Sequence, residues 1–159
     1  MEIAALLRTI NRICVAGVVV VYVSAVIWSF VAGIPQAWGL VVIPAAGFVL
    51  LSWLRDRIDA PRPYEVGASI PLLEARKQGK SFPSRHVGSG ALIGSSLVFV
   101  HPLSGICVLL ATVIVAVVRV VGGVHFARDV IAGYLGGAAF GFLGMFLVTL
   151  IAEIGRAHV

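Results

Sequence analysis

The sequence predicts an all-α fold, a polytopic transmembrane bundle of about five spans, and three observations carry that expectation. Apolar residues make up 60% of the 159-residue chain, and its mean hydropathy is +1.06. Charged residues make up only 12%, against the roughly 25% of soluble globular domains. Long stretches carry no charge at all, and Gly and Pro cut them into pieces near the ~20 residues a bilayer core requires.

The elements follow in order. Ile13 to Leu54 contains no Asp, Glu, Lys or Arg, and Gly33-Ile34-Pro35 divides it into helices expected at about 12–33 and 36–54. Arg8 and Arg12 ahead of an apolar run imitate a signal peptide, but that run exceeds the ~7–15 residues of an h-region, so a retained first helix is expected. Val87 to Val118 is again uncharged, and His101-Pro102-Leu103-Ser104-Gly105 marks a turn between two shorter antiparallel spans. Val130 to Ala152 gives a fifth helix of 23 uncharged residues. Five spans leave room for one integral-membrane domain over 1–159 and no second one. Cys14 and Cys107 both fall inside expected spans, where a thiol behaves as a small apolar group, so no disulfide is expected.

Charge is distributed unevenly between the two ends of such a bundle. If the helices alternate, 11 of the 12 basic residues lie on the side of the N-terminus, segment 55–85 and turn 119–129, and only Arg156 lies on the other. Setting aside Arg55, Arg62, Arg85 and Arg119 as site candidates still leaves 7 against 1. The positive-inside rule places that side in the cytoplasm. The net charge of +5 reads as contact with anionic lipid headgroups, with no nucleic-acid partner expected.

Three polar clusters interrupt the apolar pattern, all on that side. "RDRIDAPRPYE", Arg55 to Glu65, offers two guanidinium forks suited to phosphate oxygens, with Pro61 and Pro63 holding Arg62 in extended chain. Alone it fits a basic juxtamembrane stop equally well. "KSFPSRHVGSG", Lys80 to Gly90, opens the third helix at Pro83 or Ser84, so free N–H groups and the positive helix end face any arriving anion. There Ser84 can cap the helix or bind phosphate, and His86 can donate a proton or be structural. "RVVGGVHFARD", Arg119 to Asp129, sets His125 and Asp129 four apart. On a helix the carboxylate would hold one ring nitrogen protonated and free the other as base or nucleophile; a plain surface ion pair has the same spacing. Gly122 and Gly123 allow close backbone approach to a ligand. Ionisable groups at span ends are costly unless they serve a site or a wet cavity, and convergence explains all three clusters together.

In their order and spacing these residues resemble the type 2 phosphatidic acid phosphatase superfamily. Arg55 with Arg62-Pro63, then Pro83-Ser84-Arg85-His86, then Arg119, His125 and Asp129 match its three motifs, within a core of about 51–140. The resemblance implies His125 as nucleophile forming a phosphohistidine, Asp129 orienting it, and His86 as general acid and then base. Arg55, Arg62, Ser84, Arg85 and Arg119 would bind the phosphoryl group, with no metal and no cofactor. Arg stands at 55 where the family usually has Lys, Arg85 replaces a common Gly, and Val118 stands where Ser is frequent.

A site between helices at the membrane surface implies an amphiphilic lipid phosphate: phosphatidic acid, phosphatidylglycerol phosphate, or a polyprenyl phosphate or diphosphate such as undecaprenyl diphosphate. The expected location is a bacterial plasma membrane. Segment 66–80 mixes Leu and Ile with Arg and Lys as an interfacial lid or a solvated loop would. Gly133, Gly137 and Gly141, and Gly90 with Gly94, are spaced for close helix packing, within the bundle or in a homodimer. Rival readings are a phosphotransferase using the same histidine, a non-catalytic anionic-lipid binder or transporter, and a metal site at His86, His125 and Asp129.

Overall fold

A computed structural model describes residues 2–73 and 78–157, the side chains of the last two apart. The described chain is all-helical: α1 (Glu2–Val31), α2 (Gly39–Ile58), α3 (Arg85–Val98), α4 (Pro102–Val121) and α5 (Ala127–Ala157). Four of these, α1, α2, α4 and α5, are long and apolar enough to cross a membrane. The protein is an integral membrane protein.

The helices differ from expectation mainly at their charged ends. α1 starts ten residues before the expected 12, because nothing ahead of Gly17 breaks a helix and Arg is a good helix former. Its 30 residues span roughly 45 Å, so Arg8 and Arg12 ride on a helical turn beyond the ~30 Å hydrocarbon core. α2 likewise runs through Arg55 and Arg57 to Ile58 and stops where Asp59 turns left-handed at φ 43 and returns its N–H to Arg55 O. Pro44 inside α2 has no N–H for the Leu40 carbonyl one turn back, and Tyr22 of α1 donates its hydroxyl there instead, at 2.7 Å.

α3 is the centre of the bundle. Its 14 residues rise only about 21 Å, too short to cross alone, and Val87, Ala91, Leu92 and Leu97 are almost fully enclosed, with α5 and α4 packed most closely on it. The glycine rows explain the approach. A Cβ on Gly137 would fall on the Gly88 carbonyl, one on Gly133 would lie 2.7 Å from Ser84 O, and one on Gly90 would strike Thr112. These faces are therefore spent inside the bundle, and a homodimer cannot use them. Two buried hydroxyls of the core bond back to their own helix, Ser96 to Leu92 O and Thr112 to Val108 O. Cys14 and Cys107 are free thiols.

Between α2 and α3 the chain folds across one end of the bundle without regular structure. Leu72 N–H bonds Gly122 O at 3.0 Å and Ser69 Oγ donates to Gly123 O at 2.9 Å. Gly123 sits at φ +70, and a Cβ there would press on Ser69 and Ile70. Gly122 and Gly123 thus admit this segment of the chain, rather than the ligand expected from sequence. Of the expected lid at 66–80, residues 66–73 and 78–80 form this irregular cover, while Arg76 and Lys77 lie outside the described residues.

Candidate active site

The end of the bundle beneath that cover gathers the three clusters. Gly122 to Phe126 is a turn, so His125 precedes α5 rather than sharing a helix with Asp129. The contact forms nonetheless: His125 Nδ1 lies 3.5 Å from Asp129 Oδ2, with the two side chains 3% and 0% exposed. Asp129 is fixed because, three positions into α5, its Oδ2 accepts the Phe126 N–H at 3.0 Å, half of a capping box. Its main-chain carbonyl accepts the Ser84 N–H at 2.8 Å, which ties the start of α3 to the start of α5.

Ser81 completes the arrangement, and the sequence reading missed it. Its hydroxyl donates to Asp129 Oδ2 and lies 3.3 Å from His125 Nδ1. With its one proton on the carboxylate, Ser81 Oγ can only accept from the ring, so Nδ1 carries hydrogen and Nε2 keeps the lone pair. Burial, together with the guanidiniums of Arg62 and Arg119, lowers the His125 pKa below the usual imidazole value, against the opposing pull of the Asp129 hydrogen bond. The imidazole is neutral near pH 7, the form a nucleophile or base needs.

The arginines are anchored through the loop. Arg55, 8% exposed, donates Nε to Lys80 O at 3.1 Å and Nη2 to the same oxygen. Arg62, 7% exposed, donates Nε to Gly79 O at 3.0 Å and Nη1 to Val124 O at 3.2 Å. Both keep guanidinium donors to spare for an anion. Glu65, also missed from sequence, clasps the loop by accepting the N–H groups of Arg62 at 2.6 Å and Gly79 at 2.9 Å. Those two bonds lower its pKa below the usual carboxylate value. Asp59 holds Lys80 N–H at 3.1 Å. An acid three residues after an extended Arg-Pro pair was the available signal for Glu65; nothing local marks Ser81.

Ser84 is the N-cap of α3 by position, yet its hydroxyl makes no cap bond and is buried without a partner. Its free donor sits beside the first N–H groups of α3, which have no helical acceptor. Arg119 Nε is also buried and unpartnered. Arg55, Arg62, Lys80 and Arg85 line one cavity of about 400 Å³ with Ser52, Asp56, Gln78 and Gly79. His125 is not among its lining residues. Arg85 and His86 also line an apolar groove of about 340 Å³ built from Val15, Val18 and Val19 of α1, Phe48 of α2, Ile93 of α3 and Val115 of α4. Arg85 lies over the Phe48 ring at 5.7 Å. His86 hydrogen-bonds no described protein group, and desolvation together with the charges of Arg119 and Arg85 lowers its pKa to about 3. Among the described residues no three His, Cys, Asp or Glu side chains converge as metal ligands.

A basic cavity, an adjoining apolar groove that holds His86, and the buried His125–Asp129 pair thus gather at one end of an apolar membrane helix bundle. The PAP2 superfamily model matches residues 36–152, and the chain belongs to that superfamily. The fold is similar to the crystal structure of a transmembrane PAP2-type phosphatidylglycerolphosphate phosphatase from Bacillus subtilis, with TM-score 0.65 and 23% identity over 96% of this chain and 77% of that one. No curated protein sequence matches it.

Proposed function

We propose that this single-domain protein is a metal-independent lipid phosphate phosphatase working through a phosphohistidine. The observation that carries the reading is the junction at Arg85, which lines both a cationic cavity and the apolar groove that holds His86. An amphiphile placed there has its phosphate among guanidiniums and its tail among valines.

In the first step His125 Nε2 attacks phosphorus and the P–O bond to the lipid breaks. His86 is neutral at rest because desolvation and the charges of Arg119 and Arg85 hold its pKa down. It takes up a proton as the anionic phosphate enters and offsets those charges, and gives it to the leaving oxygen, while Asp129 with Ser81 holds the Nδ1 proton as the His125 ring becomes cationic. In the second step neutral His86 takes a proton from water, whose oxygen attacks phosphorus, breaks the P–N bond and releases phosphate. Arg55 and Arg62 exchange their bonds with the carbonyls of Lys80, Gly79 and Val124 for phosphoryl oxygens, which uncovers Nε2 of the buried His125. Arg119, Arg85, the Ser84 hydroxyl and the free N–H groups of α3 share the remaining charge.

Phosphatidylglycerol phosphate is the first lipid to try, since the Bacillus subtilis neighbour is described as acting on it; phosphatidic acid and polyprenyl phosphates, undecaprenyl diphosphate included, follow. Charge bias supports a cytoplasmic site, and the membrane proposed is a bacterial plasma membrane. The test is phosphate release from this panel by detergent-purified protein in excess EDTA. Release from at least one lipid, absent in His86→Ala, is expected. Release only when a divalent ion is restored, or from no lipid, overturns the proposal.

A further inference from the structure

The N-terminal turns of α1 lie outside the family core, and the mechanism gives them no task. Arg8, Asn11 and Arg12 fall on one face of that helix and line a cavity of about 310 Å³, closed by Leu73 of the loop and Arg119 of α4. Two features separate this cavity from a headgroup-facing surface. It holds three guanidiniums, and among the described residues no acidic side chain lines it. It also involves two buried polar atoms without partners, Asn11 Oδ1 and Arg119 Nε. Buried polar groups are normally satisfied, and an open donor and an open acceptor on residues lining one cationic space suit a polar ligand there. A half-turn of the Asn11 amide presents its N–H₂ to that space, so every polar lining residue can donate.

We propose that Arg8, Asn11, Arg12 and Arg119 form a second anion subsite, which takes a phosphoryl group other than the one cleaved. Arg119 is the shared wall, because its charge acts on both His86 and His125 while its side chain also lines the α1 cavity. The ligand chemistry is a tetrahedral phosphate oxyanion. It comes from the substrate itself, as the inner phosphate of a diphosphate or the phosphodiester of phosphatidylglycerol phosphate, or from free phosphate. The substrate arm rests on the phosphatase reading; the subsite itself does not. Guanidinium forks on a helix face suit it because they bind phosphate through paired N–H donors.

The experiment uses the full chain in uncharged detergent and the double variant Arg8→Gln, Arg12→Gln, both exposed positions that leave the bundle core intact. With phosphatidylglycerol phosphate, which carries two phosphoryl groups, kcat/KM falls about tenfold or more in the variant. With phosphatidic acid, which carries one, it stays within about twofold. That contrast assigns the subsite to the substrate's second phosphate. If selectivity is unchanged but the rise in melting temperature produced by inorganic phosphate shrinks in the variant, the subsite exists and free phosphate fills it. An equal change on both lipids, or none, together with an undiminished phosphate-induced rise, overturns the proposal. Should the wild type release phosphate from neither lipid, the proposed function fails, and the melting comparison still decides the subsite.

Discussion

Two histidines at opposite ends of this bundle make similar first contacts and have very different surroundings. His101 precedes α4, and its Nε2 lies 2.8 Å from Ser29 Oγ; since that hydroxyl donates to Ala25 O at 2.7 Å, the ring must donate to the serine. His125 precedes α5 and donates to Ser81 by the same logic. At His101 the contact is with a neutral hydroxyl and ties α1 to the start of α4. Around His125 stand a buried carboxylate and the charges of Arg62 and Arg119. A serine contact settles which nitrogen holds the proton; it takes the carboxylate and the cations to turn that tautomer into chemistry.

The comparison can be broken by substitution. His125→Ala should lower phosphate release by roughly ten-thousand-fold, whereas His101→Ala should leave kcat within about threefold, both read in uncharged detergent. Equal losses would mean that both histidines act only through folding. Asp129→Asn should cost roughly hundredfold or more by releasing the tautomer, and Ser81→Ala about tenfold, since the carboxylate still reaches Nδ1 without the serine. If Ser81→Ala matched Asp129→Asn, the serine would be the principal positioning group.

Acidity gives a smaller effect with a defined sign. Because burial lowers the His125 pKa, the folded protein takes up this proton at lower pH than the unfolded chain does. Between the two values the unfolded chain binds more protons, so stability falls as pH drops through that window. The acid limb of kcat/KM should accordingly lie below the ordinary imidazole value of about 6.5; a limb above it contradicts a buried neutral nucleophile. The smallest effect is expected at the other end: Ser29→Ala should lower stability by about 1–2 kcal/mol through the unsatisfied His101 ring, measured by thermal unfolding, with kcat unchanged.

What the sequence made legible follows the range of each interaction. Uncharged runs located every helix, because the bilayer imposes length and polarity residue by residue. Charged helix ends were harder to place: Arg8, Arg12, Arg55 and Arg57 continue helices that hydropathy alone would stop. The short interior α3 looked like a span because an enclosed helix and a lipid-facing one are equally apolar. Motif spacing brought Arg62, Arg119, His125 and Asp129 to notice. Ser81 escaped because Asp129 lies 48 residues away, and the clasp role of Glu65 because, besides nearby Arg62, it needs Gly79 14 residues on, which the cover between α2 and α3 brings to it.

The central claim is that His125 carries the phosphoryl group, and trapping it is the most direct test. Wild-type protein turning over a lipid phosphate in EDTA would be quenched in alkali, where phosphohistidine survives, and its peptides mapped by mass spectrometry. The account predicts a phosphoryl group on the peptide bearing His125, absent from His125→Ala. Sustained turnover with no phosphorylated peptide, or with the group on another residue, would contradict it.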